Sequence, residues 1–265
     1  MHVVDTGIAS RLASAKVDWI VPDWPAPTNV HAFSTTRHGV GGKEIDFSPR
    51  SPAIEDARSE LRRFIPGEPL WPSQVHGCNI VCADAMTAHA PQADGALARA
   101  AGRVCAVLTA DCLPVLFTDR EGSVVAAAHA GWRGLAAGVL EAAIDAMSVA
   151  PSSLMAWLGP AIGPHAFEVG ADVYAAFCDG DSGASACFIA QRPGKWRADL
   201  YALARRRLAH ADVTDVYGGG RCTLSERETF YSYRRGGADA QRRMATLIWR
   251  QDAACASRIM PATPP

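Results

Sequence analysis

The stretch Arg103–Phe117, RVCAVLTADCLPVLF, followed by TDREG over 118–122 and SVVAAAH over 123–129, decides the fold. Two β-rich apolar runs flank a five-residue turn, and the pattern predicts a hairpin whose first run is interrupted near Pro114. If the turn centres on Arg120, antiparallel partners have residue numbers summing to about 240. Cys112 then lies opposite residue 128, and a one-residue change of register puts it opposite His129. Opposed residues share a face with Cβ atoms roughly 4.5–5.5 Å apart. Two ligands of one metal fit that spacing, and so do a nucleophile and its base.

Working outward, Ala130-Gly131-Trp132-Arg133-Gly134 leads into a predicted helix with Leu135, Val139, Leu140, Ala143, Ile144 and Met147 on its apolar face. A short strand over Leu154–Leu158, a Gly/Pro loop over 159–164 and a helix near Ala171–Cys178 follow. Another helix is expected over Ala198–Ala209, a strand near Asp215–Tyr217 and a last helix over Asp239–Arg250. Upstream, Pro22, Pro25 and Pro27 around Trp19 and Trp24 read as a lead-in strand and turn, and residues 34–52 as a loop. Residues 52–65 carry Ile54, Ala57, Leu61, Phe64 and Ile65 at helical spacing. Strands and helices alternate without a break in composition, which predicts one α/β domain over 19–252. Residues 1–18 are a lead-in, and residues 253–265, ending Pro-Ala-Thr-Pro-Pro, are a frayed tail.

The 265 residues are 49% hydrophobic and 20% charged, ordinary globular values with enough apolar side chain for a sizeable core. Lys plus Arg number 26 against 27 Asp plus Glu, so no field of one sign draws the protein onto nucleic acid or an anionic membrane. No apolar run approaches a membrane span, and Met1–Trp19 lacks the apolar core of a secretory signal. Eight irregularly spaced cysteines are not a disulfide scaffold; the expectation is a cytoplasmic protein with reduced thiols.

His76, in Ser73-Gln74-Val75-His76-Gly77 ahead of a β-like stretch Asn79–Ala83, is a third candidate beside Cys112 and His129. Together they would make a His₂Cys site with an open fourth position, the layout of a catalytic zinc. The competing reading is a small buried cysteine and two satisfied histidines, because separations of 36 and 17 residues match no compact metal motif. Gly131-Trp132-Arg133-Gly134 ahead of a helix offers backbone N–H groups and a guanidinium to an anion such as phosphate. Equally, it is a tight strand-to-helix turn with a solvated Arg133. Cys78, Cys82 and Cys105 read as core packing. Tyr231 and Tyr233, alternating with Ser232, would share one strand face, as core or as a base-stacking platform.

Three segments resemble the signatures of the YfiH-type laccase-domain family: Gln74-Val75-His76-Gly77, Ala110-Asp111-Cys112-Leu113-Pro114-Val115-Leu116 and Ala128-His129-Ala130-Gly131-Trp132-Arg133-Gly134. The likeness continues through Trp157–Pro164, Phe167–Gly170, Cys222-Thr223 and Phe230–Arg235, and upstream in Pro22–Pro25 and Ser34–Arg37. It covers about Trp19 to Arg250. The resemblance implies a single-domain α/β/β/α sandwich with mixed sheets, similar to the cytotoxic necrotizing factor deamidases. It implies that His76, Cys112 and His129 bind Zn²⁺ (or Cu²⁺). It implies phosphorolysis of adenosine, inosine and S-methyl-5′-thioadenosine by inorganic phosphate, with adenosine deamination alongside and a link to peptidoglycan fidelity in some members. Arg37 or Arg133 is then the expected anion contact, and Asp111 an acid/base group or a support behind the ligands.

One loop departs from the family. Arg37-His38-Gly39-Val40-Gly41-Gly42-Lys43 replaces the usual Gly-Gly-Val-Ser after Thr-Arg, and no Asn-Leu follows before Ser51. The familiar zinc-deaminase pattern, H-x-E with P-C-x-x-C, is absent, so deamination here would be of another lineage. A cysteine amidase or peptidoglycan-editing hydrolase would use Cys112 as nucleophile and His129 as base, leaving His76 without a necessary role. Copper oxidation of phenols is disfavoured, because eight histidines with no His-x-His pair cannot ligate a multicopper centre. A non-enzymatic binding role is the remaining class, distinguished by the absence of turnover.

Overall fold

The computed structural model describes residues 6–85 and 90–252. Its elements begin with α1 (Thr6–Ser14), β1 (Val30–Ser34), α2 (Ile54–Leu61), β2 (Pro69–Leu70), β3 (Ile80–Cys82), β4 (Gly95–Ala98) and β5 (Val104–Thr109). The hairpin follows as β6 (Leu113–Asp119) and β7 (Val125–Ala130), then α3 (Trp132–Ala137), α4 (Val139–Met147), β8 (Leu154–Leu158), β9 (Glu168–Gly170) and α5 (Ala171–Cys178). The chain continues through β10 (Phe188–Arg192), β11 (Lys195–Ala198), α6 (Leu200–His210), β12 (Asp215–Gly218) and β13 (Met244–Arg250).

Strands buried on both faces must be apolar at nearly every position, and that requirement shapes the centre of the molecule. A six-stranded mixed sheet runs β12-β8-β6-β7-β4-β3, and a four-stranded mixed sheet runs β1-β13-β5-β2. Alternate residues of β6 face opposite ways. Leu113, Val115 and Phe117 meet Leu135, Leu140 and Leu203 of the helices, whereas Leu116 meets Val107, Trp157 and Ile248 between the sheets. On the far side of the four-stranded sheet, Phe33, Ala106, Leu247 and Trp249 pack against Ile8 and Leu12 of α1 and Ala57 and Leu61 of α2. The described residues therefore stack as helix, sheet, sheet, helix, the α/β/β/α arrangement expected. A small antiparallel sheet, β10-β11-β9, is added beside the helical layer and was not anticipated from the sequence. No helix among the described residues is long and apolar enough to cross a membrane.

Several expectations need correction. The run 103–117 is two strands in different sheets: β5 pairs with β13 and β2, β6 with β7 and β8. The break falls at Ala110–Cys112, where Asp111 takes a left-handed φ of 87°, and not at Pro114. Pro114 is tolerated inside β6 because its carbonyl side faces Gly159, beyond the end of β8, where no ladder N–H is required. The hairpin register pairs Leu113 with Ala130 and Pro114 with His129, so Cys112 lies one step outside the ladder rather than opposite His129. The expected helix at 239–250 is β13, paired on both sides; its Met, Ala and Leu residues carry no period-2 signal because both faces are buried. The helix after Gly134 is two helices, divided where Gly138 adopts φ 100°. Tyr231 and Tyr233 are not strand residues: Tyr231 is fully buried and Tyr233 is exposed. Cys105 is buried as expected, while Cys82 is exposed. Lead-in residues Ile8 and Leu12 are core, and the tail at 253–265 lies outside the described residues.

Candidate functional site

His76 stands on the loop between β2 and β3, which has to turn sharply under the helical layer. Gln74 anchors it by acting as a substitute strand: its amide donates to the Leu108 carbonyl at 2.8 Å and accepts from the Leu108 N–H at 2.7 Å. His76 itself has a left-handed backbone, φ 61°, an uncommon conformation for a side-chain-bearing residue that needs outside support. Asp94 supplies the support. Its carboxylate accepts from three successive backbone N–H groups, Val75 at 3.2 Å, His76 at 2.8 Å and Gly77 at 2.6 Å.

The same carboxylate lies 2.8 Å from Nδ1 of His129, and the His129 N–H donates to the Asp94 carbonyl at 2.7 Å. His129 sits near the end of β7, buried, with its Nδ1 edge fixed in this way and its Nε2 edge left to the site. Cys112 reaches in from the step between β5 and β6, with Sγ 3.8 Å from Nε2 of His76. One ligand atom from each of His76, Cys112 and His129 lies within 4.8 Å of the other two. Gly131 makes the approach feasible, because a Cβ there would come 2.9 Å from Cδ2 of His76 and 3.0 Å from Sγ of Cys112. A thiolate and two imidazoles converging on one point, with a carboxylate behind one imidazole, is a donor set that can hold a metal ion.

Electrostatics favour the thiolate. Burial alone raises the Cys112 thiol, but the charge of His129 and hydrogen bonds from His129 and His76 outweigh it and lower it. His129 moves the other way: burial opposes its charge, while Cys112 and the bonded Asp94 raise it. Asp94 is itself held below the usual carboxylate range, its burial outweighed by His129 and the loop N–H groups.

The triad opens into a cavity of about 700 Å³. Four guanidinium-bearing residues line it, Arg50, Arg133, Arg234 and Arg243, and Asp111 is the one carboxylate among the described lining residues. That carboxylate is already engaged, accepting from the Thr223 hydroxyl at 2.5 Å, the Ser232 hydroxyl at 2.9 Å and the Arg234 N–H at 2.6 Å. Arg133 is exposed at the start of α3, with its guanidinium 4.3 Å from the Trp132 ring centroid.

The structure thus brings His76, Cys112, His129, Asp111 and Arg133 to one cavity, and leaves Arg37 out. Arg37 lines a separate depression, where it binds the Arg227 carbonyl at 2.7 Å, pairs with Glu44 and covers the ring of Tyr231. Asp94, Arg50 and Arg243 were not picked out from the sequence. For Asp94 the available signal was a lone acid immediately before the apolar run Gly95–Ala98.

Comparison with known proteins shows the family. The family model described as multi-copper polyphenol oxidoreductase laccase matches residues 33–251. A purine nucleoside phosphorylase of Pseudomonas aeruginosa is 47% identical over 245 residues, covering 88% of this chain and 99% of the relative. The purine nucleoside phosphorylase YfiH of Escherichia coli is 46% identical over 242 residues, covering 87% and 98%. Among solved structures, a Neisseria meningitidis protein of the DUF152 family superposes with a TM-score of 0.84 at 45% identity, covering 88% of this chain and 99% of that one. The chain therefore belongs to the laccase-like YfiH family.

Proposed function

We propose that the protein is a metal-dependent purine nucleoside phosphorylase. It would convert adenosine, inosine and S-methyl-5′-thioadenosine to free base and the corresponding ribose 1-phosphate, and deaminate adenosine at the same site. The observation that carries this reading is a His₂Cys cluster set in the wall of an arginine-lined cavity. The cavity's size is that of a small-molecule site, and cations without a free carboxylate suit an anionic co-substrate. The names of the 46–47% identical relatives, both purine nucleoside phosphorylases, support the phosphorolysis part of this reading.

In phosphorolysis an oxygen of inorganic phosphate bonds to C1′ of the ribose as the bond from C1′ to the purine nitrogen breaks, and the base leaves with that electron pair. Arg133 and its cationic neighbours hold and orient the phosphate. His76, Cys112 and His129 would hold the metal, which supplies Lewis-acid stabilisation when bound. Zinc suits two imidazoles and a thiolate with a fourth position open; Cu²⁺ accepts the same donors. Asp111, with three donors on its carboxylate, is assigned to hold the 223–234 segment in place rather than to move a proton. Arg37 is given no role in the cavity.

The test is chromatographic identification of products from adenosine, with and without phosphate, using pure protein of measured metal content. Adenine formed only with phosphate supports phosphorolysis, and inosine supports deamination. Neither product from metal-loaded protein overturns the reading.

A second reading draws on Asp94. Cys112, His129 and Asp94 form a nucleophile, a base and an orienting carboxylate in sequence, the arrangement of a cysteine amidase. It would act on amides of peptidoglycan-precursor type without a metal. A stoichiometric ion bound at the triad excludes it, and a metal-free protein that forms a covalent Cys112 acyl adduct supports it.

A further inference from the structure

Aromatic rings lining the cavity come from Trp132, Phe167 and Tyr233. Two of these already carry a cation over the ring: Arg133 lies 4.3 Å from the Trp132 centroid and Arg234 lies 5.3 Å from that of Phe167. Tyr231, two residues before Tyr233, is buried with Arg37 at 4.9 Å and Arg242 at 5.4 Å from its centroid. Tyr233 differs from all of them. It is 62% exposed, and among the described residues no ring or guanidinium stacks on it.

The backbone on both sides of that ring is fixed. The Ser232 hydroxyl and the Arg234 backbone N–H both donate to the same oxygen of Asp111, at 2.9 and 2.6 Å, and the Arg235 N–H donates to the Ser232 hydroxyl at 3.2 Å. The Arg234 guanidinium binds the Glu168 carbonyl at 2.9 Å. An exposed aromatic side chain on a pinned backbone, lining a cavity, loses little freedom when a flat ligand lies against it.

We infer that Tyr233 is the specificity-determining platform on which the purine ring of the substrate stacks. This rests on the nucleoside reading above. Stacking reads a π face rather than a hydrogen-bond pattern, so amino- and oxo-purines are accepted alike. The smaller ring of a pyrimidine nucleoside covers less of the platform and binds more weakly. The arginines then serve the phosphate and ribose end of the ligand.

The experiment is steady-state kinetics of adenosine phosphorolysis at saturating phosphate for the wild type and for Tyr233→Ala, Tyr233→Leu and Tyr233→Phe, with metal content and melting temperature measured for each. Loss of a stacked base costs on the order of tenfold to a hundredfold in affinity. Tyr233→Ala is expected to raise KM for adenosine by that order while KM for phosphate and metal content stay unchanged. Tyr233→Phe restores most of the loss and Tyr233→Leu only part of it. An active wild type whose KM for adenosine is unaltered by Tyr233→Ala, or restored equally by Leu and Phe, overturns the inference alone. A wild type inactive on adenosine overturns the nucleoside reading, and the platform with it.

Discussion

The carboxylate of Asp94 joins both histidines of the site, with Oδ1 2.8 Å from Nδ1 of His129 and 2.8 Å from the backbone nitrogen of His76. One buried side chain thus sets the ring orientation of one histidine and the backbone conformation of the other. Asp94→Asn keeps the shape but offers an amide where an anion faced the imidazole. Metal affinity is expected to fall about 10–100-fold, the usual effect of losing a carboxylate behind a ligating histidine. Chelator competition measures it, and an affinity equal to wild type would refute the role.

Burial raises the Cys112 thiol, but His129 and His76 bring it down to about 6. A lowered value means that the thiolate prevails in the folded, metal-free protein at all pH above that point. Alkylation of Cys112 by iodoacetamide should therefore stay fast through neutral pH and slow only as pH falls through about 6. Cys105 is the internal control, since burial pushes its thiol up and keeps it unreactive. Peptide mapping by mass spectrometry reads both residues at once. Restoring the metal should protect Cys112, and an ordinary thiol profile near pH 8.5 would contradict the assignment.

Gly131 has φ −61°, so alanine there costs nothing in backbone strain. Its added methyl would instead press on His76 and Cys112, at 2.9 and 3.0 Å. Gly131→Ala is expected to keep the fold, as judged by circular dichroism, while losing bound metal and turnover together. Full metal occupancy in this variant would show that the triad tolerates wider spacing than its geometry implies.

Asp111→Asn probes the anchor of the 223–234 segment. Asparagine tolerates the left-handed backbone at this position, so the substitution acts mainly on the hydrogen bonds. Weakening a buried acceptor costs about 1–3 kcal/mol. For a chain of this size each kcal/mol lowers the melting temperature by about 2–4 °C. Hydrogen exchange should quicken across residues 223–234 and stay unchanged in β6 and β7. Uniform behaviour across the whole molecule would argue against a local anchor.

The hairpin of β6 and β7 was legible because its turn is polar and its flanks are apolar. The change of sheet at Ala110–Cys112 was not, because β5 and β6 are apolar runs buried on both faces and only Thr109 and Asp111 interrupt them, with no glycine or proline between. The same double burial hid β13, whose Met244, Ala245 and Leu247 suit a helix equally well. Cys112 and His129 came together in space, but through the chain step outside the ladder and not by direct opposition. Asp94 escaped notice because its importance arises from partners at Val75, His76, Gly77 and His129, none adjacent in sequence. Arg37 belonged to a recognisable motif, yet its motif folds into a neighbouring depression.

Cys112 stands on the short step that carries the chain from one sheet to the other. His76 leaves an edge strand of the four-stranded sheet, and His129 lies on a central strand of the six-stranded one. A metal held by all three would act as a rivet through the stacked sheets. Its coordination geometry would then serve as a gauge of their alignment. Substitutions at Leu116, Trp157 or Ile248, deep in the apolar seam, could let one sheet slide on the other and so detune the chemistry without touching the cavity.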